Sequence, residues 1–136
     1  MKGQKVFGES VTRLEDPALL TGNGRFVDDI FLPGLLHAAF VRSPHAHAQI
    51  KSIDITAALK VDGVHGVFTL KDFRPYLVNE KLVVGLPSPS YQQDLNRPAL
   101  ADGEVVHVGE PAAIVIADTR YLAEDSLSLV DVEYQQ

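Results

Sequence analysis

The chain has 136 residues, of which 46% are hydrophobic and 22% are charged, and its formal net charge at pH 7 is −6. This length suits one domain that buries roughly 68% of its unfolded surface. The acidic balance argues against nucleic-acid partners and anionic membranes, since both require clustered Lys and Arg. Because there is no cysteine, disulfides, thiolate nucleophiles, iron–sulfur clusters and cysteine-based zinc sites are excluded within this chain.

The N-terminal segment and the hydropathy of the chain predict its cellular location and its domain organisation. The N-terminal segment MKGQKVFGES starts with positive charge but lacks the apolar stretch of a secretory signal. No apolar run approaches the roughly 20 residues needed to span a bilayer. We therefore expect a cytoplasmic protein. Residues 1–12 are polar and predict an N-terminal arm, and residues 13–136 contain no linker and predict a single domain.

The first predicted elements are short. A helical turn is expected over residues 17–20, because proline in the first turn of a helix leaves no amide unpaired. Residues 21–24, TGNG, and the pair Pro33-Gly34 predict tight turns. A strand is expected to follow over residues 35–42.

The middle of the chain predicts two further strands with a helix between them. The segment AQIKSIDI, residues 48–55, has a broken alternation of isoleucines, which predicts a strand with either a bulge or its end near Ser52. Asp54 stands where an N-cap is expected, ahead of a short helix closed by Gly63. The run VHGVFTL, residues 64–70, predicts the next strand.

A turn, a long loop and two strands are expected next. Residues 71–77, KDFRPYL, predict a 3₁₀ turn that ends before Pro75. Residues 78–101 are polar and proline-containing, and they predict a long loop of a kind that usually carries function or forms an interface. Residues 104–109 and 111–118 are the two strongest strand candidates, with the proline of the second at its start.

The C-terminal part predicts a helix followed by a strand. Asp118 or Thr119 is expected to cap a helix whose inward face consists of Leu122, Ser126, Leu127 and Val130. Residues 129–134 predict the last strand. Strand, helix and strand with short links predict a right-handed βαβ unit over about residues 111–134. The first half has a similar order of elements, so the sequence predicts an α/β protein.

Five histidines are the first candidates for a metal or catalytic site, namely His37, His45, His47, His65 and His107. Imidazoles at i and i+2 on a strand share a face, so His45 and His47 either chelate a metal or bond to backbone carbonyls and water. Zinc or iron needs a third ligand, and no HExxH-like spacing supplies one. The other three stand in apolar runs, which predicts buried or half-buried rings.

Two pairs of glycines resemble fragments of nucleotide-binding motifs. Gly22 and Gly24 match two positions of a dinucleotide fingerprint, but Val27 occupies the third position and no strand precedes them. Gly103 and Gly109 lack the Lys-Ser/Thr of a phosphate-binding loop. We therefore interpret all four glycines as turn residues.

Acids and serines supply no catalytic centre by spacing alone. Adjacent acids occur at Glu15-Asp16, Asp28-Asp29 and Glu124-Asp125. Acid–base catalysis needs carboxylates that converge in a pocket, and these pairs are predicted to be solvated, the last on the outer side of a helix. No GxSxG context surrounds the serines considered as nucleophiles, which are Ser10, Ser43 and Ser90.

Three segments carry a resemblance that covers most of residues 13–134. They are RLEDPALLTGNGRFVDDI, LLHAAFVRSPHAHAQIKSIDITAALKVDGVHGVFTLKDF and VVHVGEPAAIVIADTRYLAEDSLSLVDVEY. In this order they closely resemble the α/β hammerhead domain of the large, molybdopterin-binding subunit in the xanthine dehydrogenase, aldehyde oxidase and carbon monoxide dehydrogenase family. The resemblance implies an α/β fold of the α+β type, with a mixed β-sheet and a few packed helices. It also implies that RSPHAHA, residues 42–48, is a strand end and turn rather than a metal site.

The resemblance further implies an oxidoreductase of which this chain is one part. The family inserts a water-derived oxygen at a carbon of an aldehyde or N-heterocycle, using molybdenum-molybdopterin, with iron–sulfur clusters and FAD elsewhere in the enzyme. The cofactor-binding glutamine, the glycine-rich cofactor loops and the glutamate base belong to later domains. The resemblance therefore implies no catalytic, cofactor-binding or metal-binding residue in this chain, which is expected to be inactive alone.

The favoured function is thus a non-catalytic N-terminal module that scaffolds the molybdenum-cofactor domains of the same subunit, with the iron–sulfur subunit as a further candidate partner. One alternative is a free-standing binding domain that shares the hammerhead fold without the enzyme. Another is a small metal-dependent hydrolase that uses His45, His47 and an acid. The leucine, valine and proline content of residues 77–100 also predicts an exposed apolar patch of more than a few hundred Å².

Overall fold

The computed structural model describes residues 7–8, 10–82, 88–90, 92 and 96–136. The chain divides into two compact units, Met1–Leu35 and Leu36–Gln136. The described strands are β1 (His37–Arg42), β2 (Ala48–Asp54), β3 (Val64–Phe68), β4 (Lys81–Leu82), β5 (Arg97–Pro98), β6 (Glu104–Val105), β7 (Pro111–Ala117) and β8 (Asp131–Gln135). The described helices are α1 (Asp16–Leu20), α2 (Leu70–Phe73) and α3 (Arg120–Ser126), with 3₁₀ turns at Val27–Asp29, Ala58–Lys60, Arg74–Tyr76 and Leu127–Leu129.

The described residues of the unit Met1–Leu35 form α1, a 3₁₀ turn and connecting turns. Helix α1 confirms the predicted helical turn, and the Thr21 hydroxyl donates to the carbonyl of Pro17 at 2.7 Å as the helix ends. The predicted turn at Pro33-Gly34 is also confirmed, because the Leu35 amide donates to the carbonyl of Leu32 at 3.1 Å. Gly34 has φ +77°, a conformation that costs glycine little because it has no Cβ.

A three-stranded antiparallel sheet, here named sheet A, forms the centre of the unit Leu36–Gln136. Its strand order is β1-β7-β3, so β7 is the middle strand, as its apolar sequence PAAIVIA favours. One face of β7 presents Ala113, Val115 and Ala117, all fully buried. Helix α3 covers this inner face, with Ala123 packed against Ala117. The predicted strand at residues 111–118 is therefore confirmed.

A second antiparallel sheet, sheet B, has the strand order β6-β2-β8. The register between β2 and β8 shifts between Ile50 and Ser52, which confirms the predicted bulge. Ala48 and Val105 form a small buried cluster with Ala101, and Tyr134 packs against it. The expected mixture of strands with a few packed helices is observed, while every strand pair among the described residues is antiparallel rather than part of one mixed sheet.

The predicted right-handed βαβ unit over residues 111–134 is wrong. Its two strands exist as β7 and β8, but β7 belongs to sheet A and β8 belongs to sheet B. The link through α3 is long enough for a parallel crossover, so the order of elements alone does not distinguish a return to the same sheet from a step to another. The topology depends on which strands pair with each other, and the local sequence pattern does not encode those partners.

Three local predictions need correction. The helix expected before Gly63 is only the 3₁₀ turn Ala58–Lys60, and its N-cap position is Ala57, which provides no side-chain cap. The predicted N-cap Asp54 instead accepts from the Thr56 amide at 2.9 Å, ahead of the turn. The turn expected to end before Pro75 continues through it, because proline is tolerated in the first turn of a helix. The strand expected over residues 104–109 is limited to β6, and a turn follows.

Among its described residues, the predicted long loop over residues 78–101 contains one short strand pairing. Lys81 faces Pro98 and Leu82 faces Arg97 in the β4–β5 ladder. The part of this loop at residues 83–87, 91 and 93–95 lies outside the described residues.

Candidate functional site

His45 and His47 do not share a strand face. Both lie in the connection between β1 and β2, so their placement on one strand is wrong. His45 Nδ1 lies 2.8 Å from Gln136 Nε2, and its ring makes an edge contact with Tyr134 at a centroid distance of 4.9 Å. His47 Nε2 lies 3.5 Å from a carboxylate oxygen of Glu104. The connection is thus the strand end and turn that the resemblance implied, and each imidazole has its own side-chain partner.

The other histidines are only partly as expected. His37 is half-buried in β1, as predicted. The rings of His65 and His107 are 50% and 58% exposed, so the prediction of buried or half-buried rings is wrong for both. His65 sits at a register shift in β3, where its ring turns outward and Nε2 lies 2.6 Å from Asp118 Oδ1. His107 lies in the turn after β6, where neither face is covered by a sheet.

The fit of the side chains to a metal group can be tested on their arrangement. Within the described part of the chain, no three His, Asp or Glu side chains converge on a point that suits a metal ion. The sequence contributes no thiolate ligand either. The described residues therefore supply no side-chain cluster that would ligate a molybdenum or iron centre.

The turn interpretation holds for three of the four glycines, while Gly24 follows the turn at Thr21-Gly22 and has no positive φ. Gly22, Gly103 and Gly109 have φ of +73°, +77° and +85°, which confirms them as turn residues. The acidic pairs are surface groups, and Glu124 on the outer side of α3 pairs with Arg120 at 3.2 Å.

The three serines considered as nucleophiles differ in burial and in hydrogen-bond partners. Ser43 is buried, and its hydroxyl accepts from the His45 amide at 3.0 Å and donates to the His45 carbonyl at 3.1 Å. This arrangement fixes the turn after β1. Ser90 lies 2.8 Å from the hydroxyl of Ser88, and Ser10 is exposed in the N-terminal unit.

A buried carboxylate that the sequence did not single out organises the turn between β6 and β7. Glu110 is 2% exposed, and its Oε1 accepts from Arg97 Nε at 3.1 Å and Nη2 at 3.0 Å. Its Oε2 accepts from the Val106 amide at 2.6 Å and lies 3.6 Å from His107 Nδ1. Arg97 Nη1 also lies 3.7 Å from Glu104. We name these five residues the Glu110 cluster.

The backbone around this cluster joins the end of β1 to the start of β7. The Ser43 amide donates to the Glu110 carbonyl at 2.9 Å, and the Gly109 amide donates to the Ser43 carbonyl at 2.8 Å. The Ala101 amide donates to the Pro111 carbonyl at 2.7 Å. Because the carboxylate oxygens are occupied by donors within the fold, the cluster fits a structural role rather than acid–base catalysis.

A cleft of about 320 Å³ lies between β2, the start of α2 and the segment before β6. Its carboxylates have local partners. Asp72 accepts from the Thr69 amide at 2.7 Å and from the Thr69 hydroxyl at 2.9 Å, and these hydrogen bonds lower the pKa of Asp72. Asp102 forms an ion pair with Arg74. Hydrogen bonds raise the pKa of Arg74, and the one to Glu80 contributes more than the one to Asp102. The carboxylates at the cleft are thus bound by groups of the fold itself, beside apolar lining residues such as Ile50 and Ile53.

The face of sheet A opposite α3 is apolar, and we name it the outer face. Phe40 of β1, Ile114 of β7 and Phe68 of β3 stand opposite one another in a row across the sheet. Phe40 and Phe68 are 40% and 37% exposed. An apolar groove of about 250 Å³ runs beside this row, and its lining includes Leu70 and Phe73 of α2.

Large apolar side chains are also exposed elsewhere. About half of those among the described residues lie in the N-terminal unit, and they include Leu20, Val27 and Phe31 at 86%, 83% and 88% exposure. Within residues 77–100, Val78 and Leu82 are exposed at 97% and 59%. The predicted patch there stays a prediction, since part of the segment lies outside the described residues. No helix in the described residues is long and apolar enough to cross a membrane.

Comparison with known proteins identifies the family. A family model described as aldehyde oxidase and xanthine dehydrogenase, a/b hammerhead domain, matches residues 21–136. The large subunit of nicotine 6-hydroxylase from Paenarthrobacter nicotinovorans is 42% identical over 132 residues, which are 97% of this chain and 16% of that relative. The carbon monoxide dehydrogenase large chain from Afipia carboxidovorans is 40% identical over 123 residues, which are 90% of this chain and 14% of that relative.

Solved structures agree. Quinoline 2-oxidoreductase from Pseudomonas putida has a TM-score of 0.83 at 41% identity, over 95% of this chain and 16% of that one. The aldehyde oxidoreductase from Desulfovibrio desulfuricans has a TM-score of 0.85 at 29% identity, over 96% of this chain and 15% of that one. The α/β hammerhead fold class is thereby confirmed.

The chain spans about one sixth of the length of the curated relatives that it matches. Within that sixth, the match includes the connection at RSPHAHA, the turn before β7 and the two sheets. The chain therefore belongs to the aldehyde oxidase and xanthine dehydrogenase family of oxidoreductases, in which it corresponds to the α/β hammerhead domain of the large subunit.

Proposed function

We propose that this chain acts as the non-catalytic hammerhead part of a molybdenum hydroxylase large subunit and packs against the molybdenum-cofactor domains. The observation that carries the proposal is the asymmetry of the match: nicotine 6-hydroxylase covers 97% of this chain, but this chain covers only 16% of it. Among the similar proteins, a carbon monoxide dehydrogenase is named as containing copper and molybdenum, and a xanthine dehydrogenase subunit is named as molybdenum-binding.

The arrangement of polar groups supports a role without catalysis. The one fully buried carboxylate of the Glu110 cluster is bound by donors of its own fold. His45, His47 and His65 each contact a different partner, and they do not converge. A role in contact and shape requires none of these groups to meet substrate.

The proposal assigns the cofactors and partners to other parts of the enzyme. Molybdenum-molybdopterin is held by the rest of the large subunit, and iron–sulfur clusters and FAD are held elsewhere. The iron–sulfur subunit is a further candidate partner. We also propose a cytoplasmic location without membrane or nucleic-acid partners, supported by the absence of cysteine and the net charge of −6.

Complementation tests the proposal. The 136-residue chain is co-expressed with the large subunit of quinoline 2-oxidoreductase from which the aligned segment has been deleted. We expect the two polypeptides to co-purify in equal amounts and to retain molybdenum. The relative's own excised segment, supplied in the same way, is the matched control. If that control co-purifies and this chain does not, the proposal is wrong and a free-standing domain is favoured.

A further inference from the structure

Strand β7 is apolar at all seven positions, from Pro111 to Ala117, although α3 covers only one of its faces. A sheet with one face in water normally alternates apolar and polar residues along its strands. On the inner face, Val115 is fully buried. On the outer face, Ala112 beside the register shift is buried, and Ile114 and Ile116 remain partly exposed. The composition of β7 is therefore typical of a strand with cover on both faces.

The neighbouring strands extend this apolar surface. Phe40 and Phe68 flank Ile114 across the sheet. The Phe68 ring also packs against the ring of Phe73 in α2, at a centroid distance of 5.9 Å. Gly66 makes this possible, because a Cβ at that position would lie 2.5 Å from the Phe68 ring. The missing side chain at Gly66 thus lets the Phe68 ring lie across the sheet.

The groove beside the row has the form of a receptor for an apolar side chain. Its lining is Phe40, Leu70, Phe73, Leu77, Ala99, Leu100 and Ile114, all of them apolar. Next to Phe40 of this lining, the Arg42 guanidinium stands 5.5 Å from the centre of the Phe40 ring and donates to the Gly109 carbonyl at 2.9 Å. An apolar centre with a polar rim is the usual anatomy of a protein interface.

We propose that the outer face, with its groove, docks an apolar segment of the remaining large-subunit polypeptide, which inserts leucine, methionine or phenylalanine side chains. This inference rests on the proposed function and specifies the contact. The length of the relatives supports this occupant, since more than four fifths of the nicotine 6-hydroxylase subunit lies outside the match. A second copy of this chain is a poorer occupant, because each copy carries a net charge of −6.

Lysine substitutions on the outer face test the inference in the co-expression system. Phe40→Lys and Phe68→Lys place a charge in the proposed interface, and we expect each to weaken binding to the truncated quinoline 2-oxidoreductase subunit at least tenfold. Tyr121→Lys is the matched control, because Tyr121 is 79% exposed on α3, on the other side of sheet A. It is expected to bind like the unmodified chain. Thermal unfolding of each free chain shows whether each of the three variants folds.

A gentler variant keeps the test valid if the lysine variants do not fold. Gly66→Ala adds no charge but displaces the Phe68 ring, and we expect binding to weaken several-fold. Folded variants at Phe40 and Phe68 that bind as well as the unmodified chain would overturn the inference and leave the proposed function intact. Failure of the unmodified chain to bind would overturn both. Self-association that only Phe40→Lys abolishes, with binding to the truncated subunit unchanged, would assign the face to a second copy.

Discussion

Glu110 shows how a single buried charge orders a turn in this domain. Its carboxylate is desolvated, and Arg97 and the Val106 amide supply the hydrogen bonds that offset the loss of water. The only local indication of a buried acid in the sequence is its position between Gly109 and Pro111, directly before an apolar strand. Its partner lies 13 residues earlier in a segment without periodicity, so no spacing rule pairs the two.

Removing Arg97 is expected to destabilise the domain. In Arg97→Ala, the Glu110 carboxylate stays buried with the Val106 amide as its remaining close donor. We expect the free energy of unfolding to fall by about 2–4 kcal/mol. This is less than the largest losses known for broken buried ion pairs, because Arg97 is 31% exposed. Urea unfolding measures the loss. Arg74→Ala is the control, since its ion pairs with Glu80 and Asp102 are more exposed, and it should cost less than about 1 kcal/mol. Equal losses in the two variants would contradict a special role for the buried pair.

Ser126 gives a prediction of opposite sign. Its side chain is 1% exposed on α3, and its hydroxyl has no hydrogen-bond partner within the described part of the chain. A buried unpaired hydroxyl carries a desolvation penalty, and alanine is the better helix former. Ser126→Ala should therefore raise the free energy of unfolding by about 1 kcal/mol, measured by urea unfolding. A loss of stability would show that the hydroxyl has a partner.

Helix α3 is the element that the sequence predicted most completely. The Thr119 cap and the outer position of Glu124-Asp125 are observed, because each depends on local chemistry and the helical period. The inward face is only partly as predicted, since the buried residues of α3 are Ala123 and Ser126, and the helix ends before Leu127 and Val130. The same locality explains the failure over residues 111–134. Local pattern predicted β7, α3 and β8 but not that β8 pairs with β2.

The N-cap of α3 contributes measurably to the free energy of unfolding. The Thr119 hydroxyl accepts from the Leu122 amide at 3.1 Å. Thr119→Ala leaves that amide without its cap and should lower the free energy of unfolding by about 1 kcal/mol. Thr119→Ser keeps the acceptor oxygen and serves as the control, with stability close to that of the unmodified chain. The cap assignment is wrong if both variants unfold at the same urea concentration.

The start of α2 predicts a response to acid. Hydrogen bonds from Thr69 hold the pKa of Asp72 below its ordinary value of 3.8, so the folded state favours the carboxylate. The resulting stability is present above about pH 4 and is lost as the pH falls through the lowered pKa. Asp72→Asn should reduce stability at pH 7 and flatten the decline below pH 4, as followed by thermal unfolding between pH 2.5 and 7. An unchanged acid decline in the variant would contradict this role.

At the scale of the whole molecule, the proposed contact with a larger polypeptide rests on the exposed apolar face of sheet A. The hammerhead class followed from the resemblance of three segments, while sheet partners and the outer face required coordinates. Phe40, Ile114 and Phe68 lie in three separate strands, and only antiparallel pairing places them in one row. The candidate contact was therefore beyond the reach of sequence pattern.

Turnover by the isolated chain tests the central claim, that this polypeptide contributes contact surface and leaves redox chemistry to other domains. Oxidation of quinoline and of an aldehyde is measured with an artificial electron acceptor, first with the purified 136-residue chain and then with the co-expressed complex described above. The account predicts no turnover by the chain alone and turnover by the complex. Oxidation of either substrate by the chain alone, with molybdenum bound in stoichiometric amount, would contradict it.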